Sequence, residues 1–279
     1  MNKASAKTIA LIARQELRIV LRNRWTAVYA AVFAALTFAI SYFGLAVVEK
    51  AGFQEFDRTA VSLLNLVLYI VPLASMLLAV QSLSSEAGST DRLFTEPVTA
   101  AEIILGKAAG LSVAHILSAL AGFGFTGIFI AIKAGLFGFS AYAILVAFTI
   151  AIGVVFIALA CLLSVAAGRG PRAYAAVLVA WFVSVIVFDL AVIGISLALP
   201  EGYANRTALA GVFLNPVDAT RVAALLAISG KEMFGAAGAL LVRSLHGAAA
   251  AVALLCAALA AWTAVSLAAA SALLARQDA

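Results

Sequence analysis

The sequence predicts an all-α integral membrane protein of six transmembrane helices, and three observations carry that expectation. Of its 279 residues, 65% are hydrophobic and 11% charged, against about 25% charged in an ordinary soluble domain. The apolar residues gather in six continuous runs, each long enough to cross a hydrocarbon core about 30 Å thick, which takes around 20 residues at 1.5 Å apiece. The alternating ten-residue segments of a membrane β-barrel do not occur, whereas a helix satisfies its own backbone in lipid.

Residues 1–24 are too polar to span. Ile9, Ile12, Ala13, Leu17, Val20 and Leu21 recur at helical spacing opposite Arg14, Arg18 and Arg22. Residues 5–23 are therefore expected to form an amphipathic interfacial helix with its arginines toward headgroups. Lys3, Lys7 and the arginines up to Arg24 look like the start of a signal peptide. The apolar run that follows, 25–48, exceeds the roughly 7 to 15 residues of a signal core. It is expected to remain as the first span, entered through the interface residues Trp25 and Tyr29. The net charge of +5 sits largely beside this span, which suits anionic lipid rather than nucleic acid.

Residues 25–279 form one transmembrane domain, with further spans at 61–83, 108–132, 141–167, 174–199 and 248–274. Counting Lys and Arg beside each span favours a cytoplasmic N-terminus. Pro72 should kink the second span. The cytoplasmic segment 84–107 then carries a capping box, Thr99 with Glu102, after the helix stop Pro97. A helix should start near Ala100, and a short one at 90–95 offers a surface to a cytoplasmic partner. Gly110, Ala114, Ser118, Gly122 and Thr126 repeat every four residues, a small-residue stripe that admits a neighbouring helix closely; the alanine-rich last span suits the same packing.

The external segment 200–247 is far longer than the roughly 12 to 15 residues of a plain connection. Asn215-Pro216-Val217-Asp218 reads as a helix start, with Asn as cap, Pro in the first turn and Asp at the positive end of the dipole. Gly230 is a natural stop. Val217, Leu225, Leu226 and Ile228 give that helix an apolar side for membrane, partner or bundle.

Chemistry is sparse. No G-x-x-x-x-G-K-[ST] is present to cradle phosphates, and no H-E-x-x-H to hold zinc. Gly110-Leu111-Ser112 beside His115 matches an intramembrane serine hydrolase over only a few residues. Asp189 and His115 are ionisable groups inside spans, where charge is costly; each is a candidate translocation or gating residue, or else is satisfied by packing and a neighbouring helix. Cys161 and Cys256 lie in different spans and read as small apolar residues.

The interfacial helix, Glu86-Ala87-Gly88 after the second span, Pro97-Val98 and Leu105-Gly106-Lys107 make the chain resemble the ABC-2 type permeases, six-helix membrane subunits of ATP-binding cassette exporters. In that family the 84–107 segment docks in a cleft of the ATP-hydrolysing subunit. The resemblance thus implies a non-catalytic chain with no cofactor of its own and a cytoplasmic ATPase partner that carries ATP and Mg. It also implies coupling through Glu86, Asp91, Arg92, Leu93, Phe94 and Glu96.

Within the family, Phe213-Leu214-Asn215-Pro216-Val217-Asp218-Ala219-Thr220-Arg221, followed by Met233-Phe234-Gly235, is similar to permeases that serve maturation of nitrous oxide reductase. That similarity implies a second copy of the chain, a bacterial inner membrane, in which the charge count puts both termini on the cytoplasmic side, and a periplasmic β-helix partner met by Asn215, Pro216, Asp218, Arg221, Met233 and Phe234. The role implied is assembly of the reductase's copper-sulfide site, by export of a sulfur species or by passing ATPase motion to the periplasm. Passage of copper itself needs soft ligands, for which Met76, Cys161 and Cys256, one on each of three spans, are thin provision. The rival readings are an ABC-2 exporter of a drug, ion or lipid-like molecule, and a transporter acting alone with Asp189 as its ion or proton site.

Overall fold

An apolar chain in lipid has to pair its backbone within each segment, and every regular element among the described residues is helical. The structure, a computed structural model, describes residues 3–22, 24, 31, 35, 38, 54–85, 98–168, 170–229, 236–245 and 247–277. All but residues 31, 35 and 38 of the expected first span, the short helix at 90–95, Pro97, Gly230 and the residues proposed for ATPase coupling lie outside them.

Helix α1 (Lys3–Arg22) is followed by α2 (Gln54–Ser85), which runs unbroken through the buried Pro72. One carbonyl beside that proline, Tyr69 O, accepts a 3.0 Å hydrogen bond from Trp181 Nε1. Helix α3 (Ala100–Ala167) begins at the expected capping box: Thr99 N donates to Glu102 Oε2 at 2.9 Å and Glu102 N to Thr99 Oγ1 at 3.3 Å. Helical from end to end, α3 nevertheless folds back on itself. Tyr142 Oη donates to Phe123 O at 2.9 Å and their rings meet edge to face, whereas 19 residues of straight helix would hold them about 28 Å apart. Its limbs, 100–124 and 139–167, are two spans.

Beyond Gly168 and Gly170, both at positive φ, α4 (Pro171–Phe182) passes through a π-turn at Val183–Val187 into α5 (Phe188–Ala198). The 200–247 segment holds three helices, α6 (Glu201–Leu214), α7 (Pro216–Ser229) and α8 (Ala236–Ser244), before the last span α9 (Ala248–Gln277). Only α7 was legible in advance. Helices α6 and α7 together are apolar enough to cross a membrane but are bent by 101° at Asn215. That bend has a local cause: Asn215 precedes a proline, which disfavours the helical region for it, and it sits extended at φ −121°, ψ 117°.

Five described stretches are long and apolar enough to span, at 64–84, 100–124, 139–167, 171–198 and 248–277, or six with the bent pair as one. The core lies between α2, both limbs of α3, α7 and α9, around Leu64, Leu68, Met76, Phe123, Phe156 and Ile157. The stripe from Gly110 to Thr126 is buried throughout. On α9 the inward residues are Ala251, Leu255, Leu259, Ser266 and Ala270, small at both ends of the helix and leucine between them. Helices α4 and α5 are peripheral, with Val179, Phe182, Leu190 and Ile193 exposed.

Candidate functional site

Two polar joints hold this apolar bundle, one near each end. The first arises because the apolar face of α1 is not spent on lipid. It packs against α3, where Gly106 and Gly110 let the backbones approach closely. A Cβ on Gly106 would stand 2.7 Å from Ile12 Cβ, and one on Gly110 2.7 Å from Glu16 Cβ. Arg14, Arg18 and Arg22 face outward as expected. In the middle of the inward face sits a carboxylate: Glu16, 2% exposed, accepts from Ser82 Oγ at the end of α2 and from Lys107 Nζ on α3 at 3.3 Å. Sequence reasoning passed over Glu16. The signal was there, because the helical position of Glu16 falls among Ile9, Ile12, Ala13 and Val20.

The second joint is built around Asn215, which is 2% exposed and uses each of its polar groups. Its N–H donates to Gly211 O and its carbonyl accepts from Ala219 N, both at 3.0 Å. Its side-chain oxygen caps α7 by accepting from Val217 N at 3.0 Å, and its amide donates to Ser184 O inside the π-turn at 2.6 Å. Close by, Arg221 Nη1 of α7 donates to Asp189 Oδ2 on α5 at 3.0 Å and to Asp218 Oδ1 at 2.8 Å. Trp262 Nε1 on α9 completes the joint with a 3.1 Å bond to Phe213 O. Asp189 lies 18 residues beyond Pro171, about 27 Å along the span. Pro171 follows the end of α3, which shares the α1 end of the bundle through Lys107 and the bond from Gln277 Nε2 to Val165 O.

Residues named from sequence therefore find specific places. Asp189 is satisfied by a neighbouring helix through Arg221. His115 is 4% exposed between Ser75, whose Oγ is 3.5 Å from Nδ1, and Gly153. Asn215 and Pro216 are buried, and Arg221 pairs with both Asp218 and Asp189, so these four form a joint within the chain. Val217 and Leu226 of α7 are turned into the core, which settles that its apolar side meets the bundle. Met233 and Phe234 lie outside the described residues. Met76 and Cys161 are core residues and Cys256 is exposed on α9.

The charge arrangement of this joint makes a test. Arg221→Leu leaves Asp189 facing Asp218 with no cation between them. The expected loss is about 1–2 kcal/mol, below that of a fully buried pair because these side chains keep some solvent. Asp189→Asn, which leaves Arg221 its bond to Asp218, is expected to cost less. Thermal unfolding of the purified protein reads both, and equal losses would mean that charge balance is not what holds the joint.

A bundle of an amphipathic α1, several helices long and apolar enough to span, and a bent apolar pair is the architecture of a multi-pass membrane protein. The chain belongs to the ABC-2 transporters: the family model described as ABC-2 family transporter protein matches residues 10–279. Family membership implies an ATPase carried on a separate, cytoplasmic subunit. Among its relatives is the "Probable ABC transporter permease protein NosY" of Pseudomonas aeruginosa, 35% identical over 240 residues that cover 81% of this chain and 84% of that one. The protein of the same name from Stutzerimonas stutzeri is 35% identical over 265 residues, covering 92% of this chain and 94% of its own.

Proposed function

We propose that this chain is the permease of a transporter that serves assembly of the copper-sulfide site of nitrous oxide reductase, as NosY's name and the resemblance imply. One observation carries the reading: 35% identity to two NosY permeases along more than four fifths of each chain. In this reading two copies sit in the bacterial inner membrane with both termini cytoplasmic. The 84–107 segment engages a NosF-like ATPase that holds ATP and Mg, and the 200–247 segment faces a NosD-like periplasmic β-helix protein. The chain either exports a sulfur species or passes ATPase motion outward.

The two polar joints favour transmission of motion. Glu16 ties α1 to both helices that bound the 84–107 segment, through Ser82 just before it and Lys107 at its end. At the other end the bent pair is tied to the peripheral span by Arg221–Asp189 and to its π-turn by Asn215. A shift of the α2 and α3 ends thus has a connected route through core helices to the external segment.

The test is the visible spectrum and activity of nitrous oxide reductase from cells lacking this chain, beside cells in which it is restored. Enzyme that reaches the periplasm without its copper-sulfide site, and regains it on restoration, supports the reading. Fully assembled enzyme in the deleted strain overturns it and leaves an ABC-2 exporter of another substrate.

A further inference from the structure

The buried pair at α1 raises a physical difficulty. Removing one member of a buried ion pair strands a charge and is strongly destabilising, so a helix fastened by Glu16 should be unable to let go. Beside the pair, however, is a cavity of about 70 Å³ that Lys107 itself lines. That is several times the space one water needs. Two of its walls are serine hydroxyls: Ser84 Oγ and Ser164 Oγ are inaccessible and have no hydrogen-bond partner, and Ser164 is 5% exposed.

The cavity also sits where three helices finish. Leu83 and Ser84 come from the last turns of α2, Ser164 and Val165 from those of α3, and Leu274 and Gln277 from those of α9. Helix C-termini present unpaired carbonyls and the negative end of the dipole, an environment that favours a cation. Hydroxyl oxygens accept readily from an ammonium. An anion would be repelled here, and Glu16 already occupies the other side of Lys107.

We propose that this cavity is a second station for the Lys107 ammonium, built so that α1 can leave without stranding a buried charge. With α1 docked, Nζ faces Glu16. As α1 lifts, Glu16 goes with it toward water, and the flexible lysine stem carries Nζ to Ser84, Ser164 and the three helix ends. The joint then has two positions close in free energy instead of one locked position. This goes beyond the transport reading and depends on neither cargo nor partner.

The experiment is hydrogen–deuterium exchange of residues 5–20 in the full-length chain in lipid nanodiscs. Ser164→Asp places a fixed carboxylate in the second station to draw Lys107 away from Glu16. Exchange in α1 is expected to rise on the order of tenfold, while Ser164→Asn, of similar size and uncharged, stays near wild type. Ser84→Asp, on the helix α2 side of the lining, should act as Ser164→Asp does, and it decides the matter if the latter does not reach the membrane. Exchange that is unchanged or slower in the Asp variants overturns the proposal, as does a rise in Ser164→Asn equal to that in Ser164→Asp, which would mark packing damage alone.

Discussion

Lys107→Met is expected to loosen α1 from the bundle at a cost of about 3–5 kcal/mol, the usual consequence of leaving a buried charge unpaired. Glu16 and Lys107 side chains are each 3% exposed, so water does little to screen what remains. Without the ammonium, Glu16 is left, among the described residues, with the hydroxyl of Ser82, which offsets part of a carboxylate's charge. The two ends of the pair should not respond alike. Glu16→Gln is expected to cost less, since Lys107 then keeps a place among three helix C-termini. The double variant Glu16→Leu with Lys107→Met should recover most of the loss, because an apolar pair of similar volume commonly replaces a buried ion pair without harm. Thermal unfolding of the solubilised protein, with protease access to α1, reads all three. A Lys107→Met variant within about 0.5 kcal/mol of wild type, as for a surface substitution, would show that the pair does not fasten α1.

Gly153→Ala is the second change with a large expected effect. A Cβ there would stand 2.5 Å from His115 Cε1, 2.6 Å from Cδ2 and closer still to Nε2. The ring is held on its other side by Ser75 of α2 and has little room to turn aside. Overpacking of a filled core costs about 1–3 kcal/mol, and more when a rigid group is struck. The amount of folded protein recovered from membranes should fall accordingly. His115→Ala introduced with Gly153→Ala should restore it by vacating the space, whereas His115→Ala alone should cost less than Gly153→Ala. If the single glycine variant folds as well as wild type, the two limbs of α3 are not locked through this contact.

Much of the fold was readable because membrane helices announce themselves by length and apolarity. The capping box at Thr99, the stripe from Gly110 to Thr126 and the helix start at Asn215 follow from local rules and are present; the apolar helices from 64 onward follow from length and apolarity, although the one expected at 108–132 lies at 100–124 because the capping box starts its helix earlier. What was not readable needed knowledge of neighbours. Glu16 reads as a polar interruption of an apolar face until Ser82 and Lys107 are brought to it from 66 and 91 residues away. Asp189 could be flagged as a charge needing a reason, but its reason, Arg221, lies on a helix that a break at Asn215 turns through 101°. Helix α6 was missed because its residues, which follow Pro200 and begin Glu201-Gly202 with mixed polarity, carry no strong period of their own. It is held instead by the close fit of Gly211 against Val192 and Phe188 on α5.

The π-turn at Val183–Val187 has a consequence for how its span reads along its length. A π-turn accommodates about one residue more than an α-helical turn does, and one residue is worth about 100° of rotation. The face of α4 that carries Ala173 and Val177 inward is therefore not continued by the residues of α5 at the same spacing. The lipid-facing register slips by one position at Phe188. That slip is what turns Asp189 toward α7 and Arg221, where an uninterrupted helix would point a neighbouring residue. The shift in the sequence's phase at the π-turn thus decides which side chains of this span turn to the protein and which turn away from it.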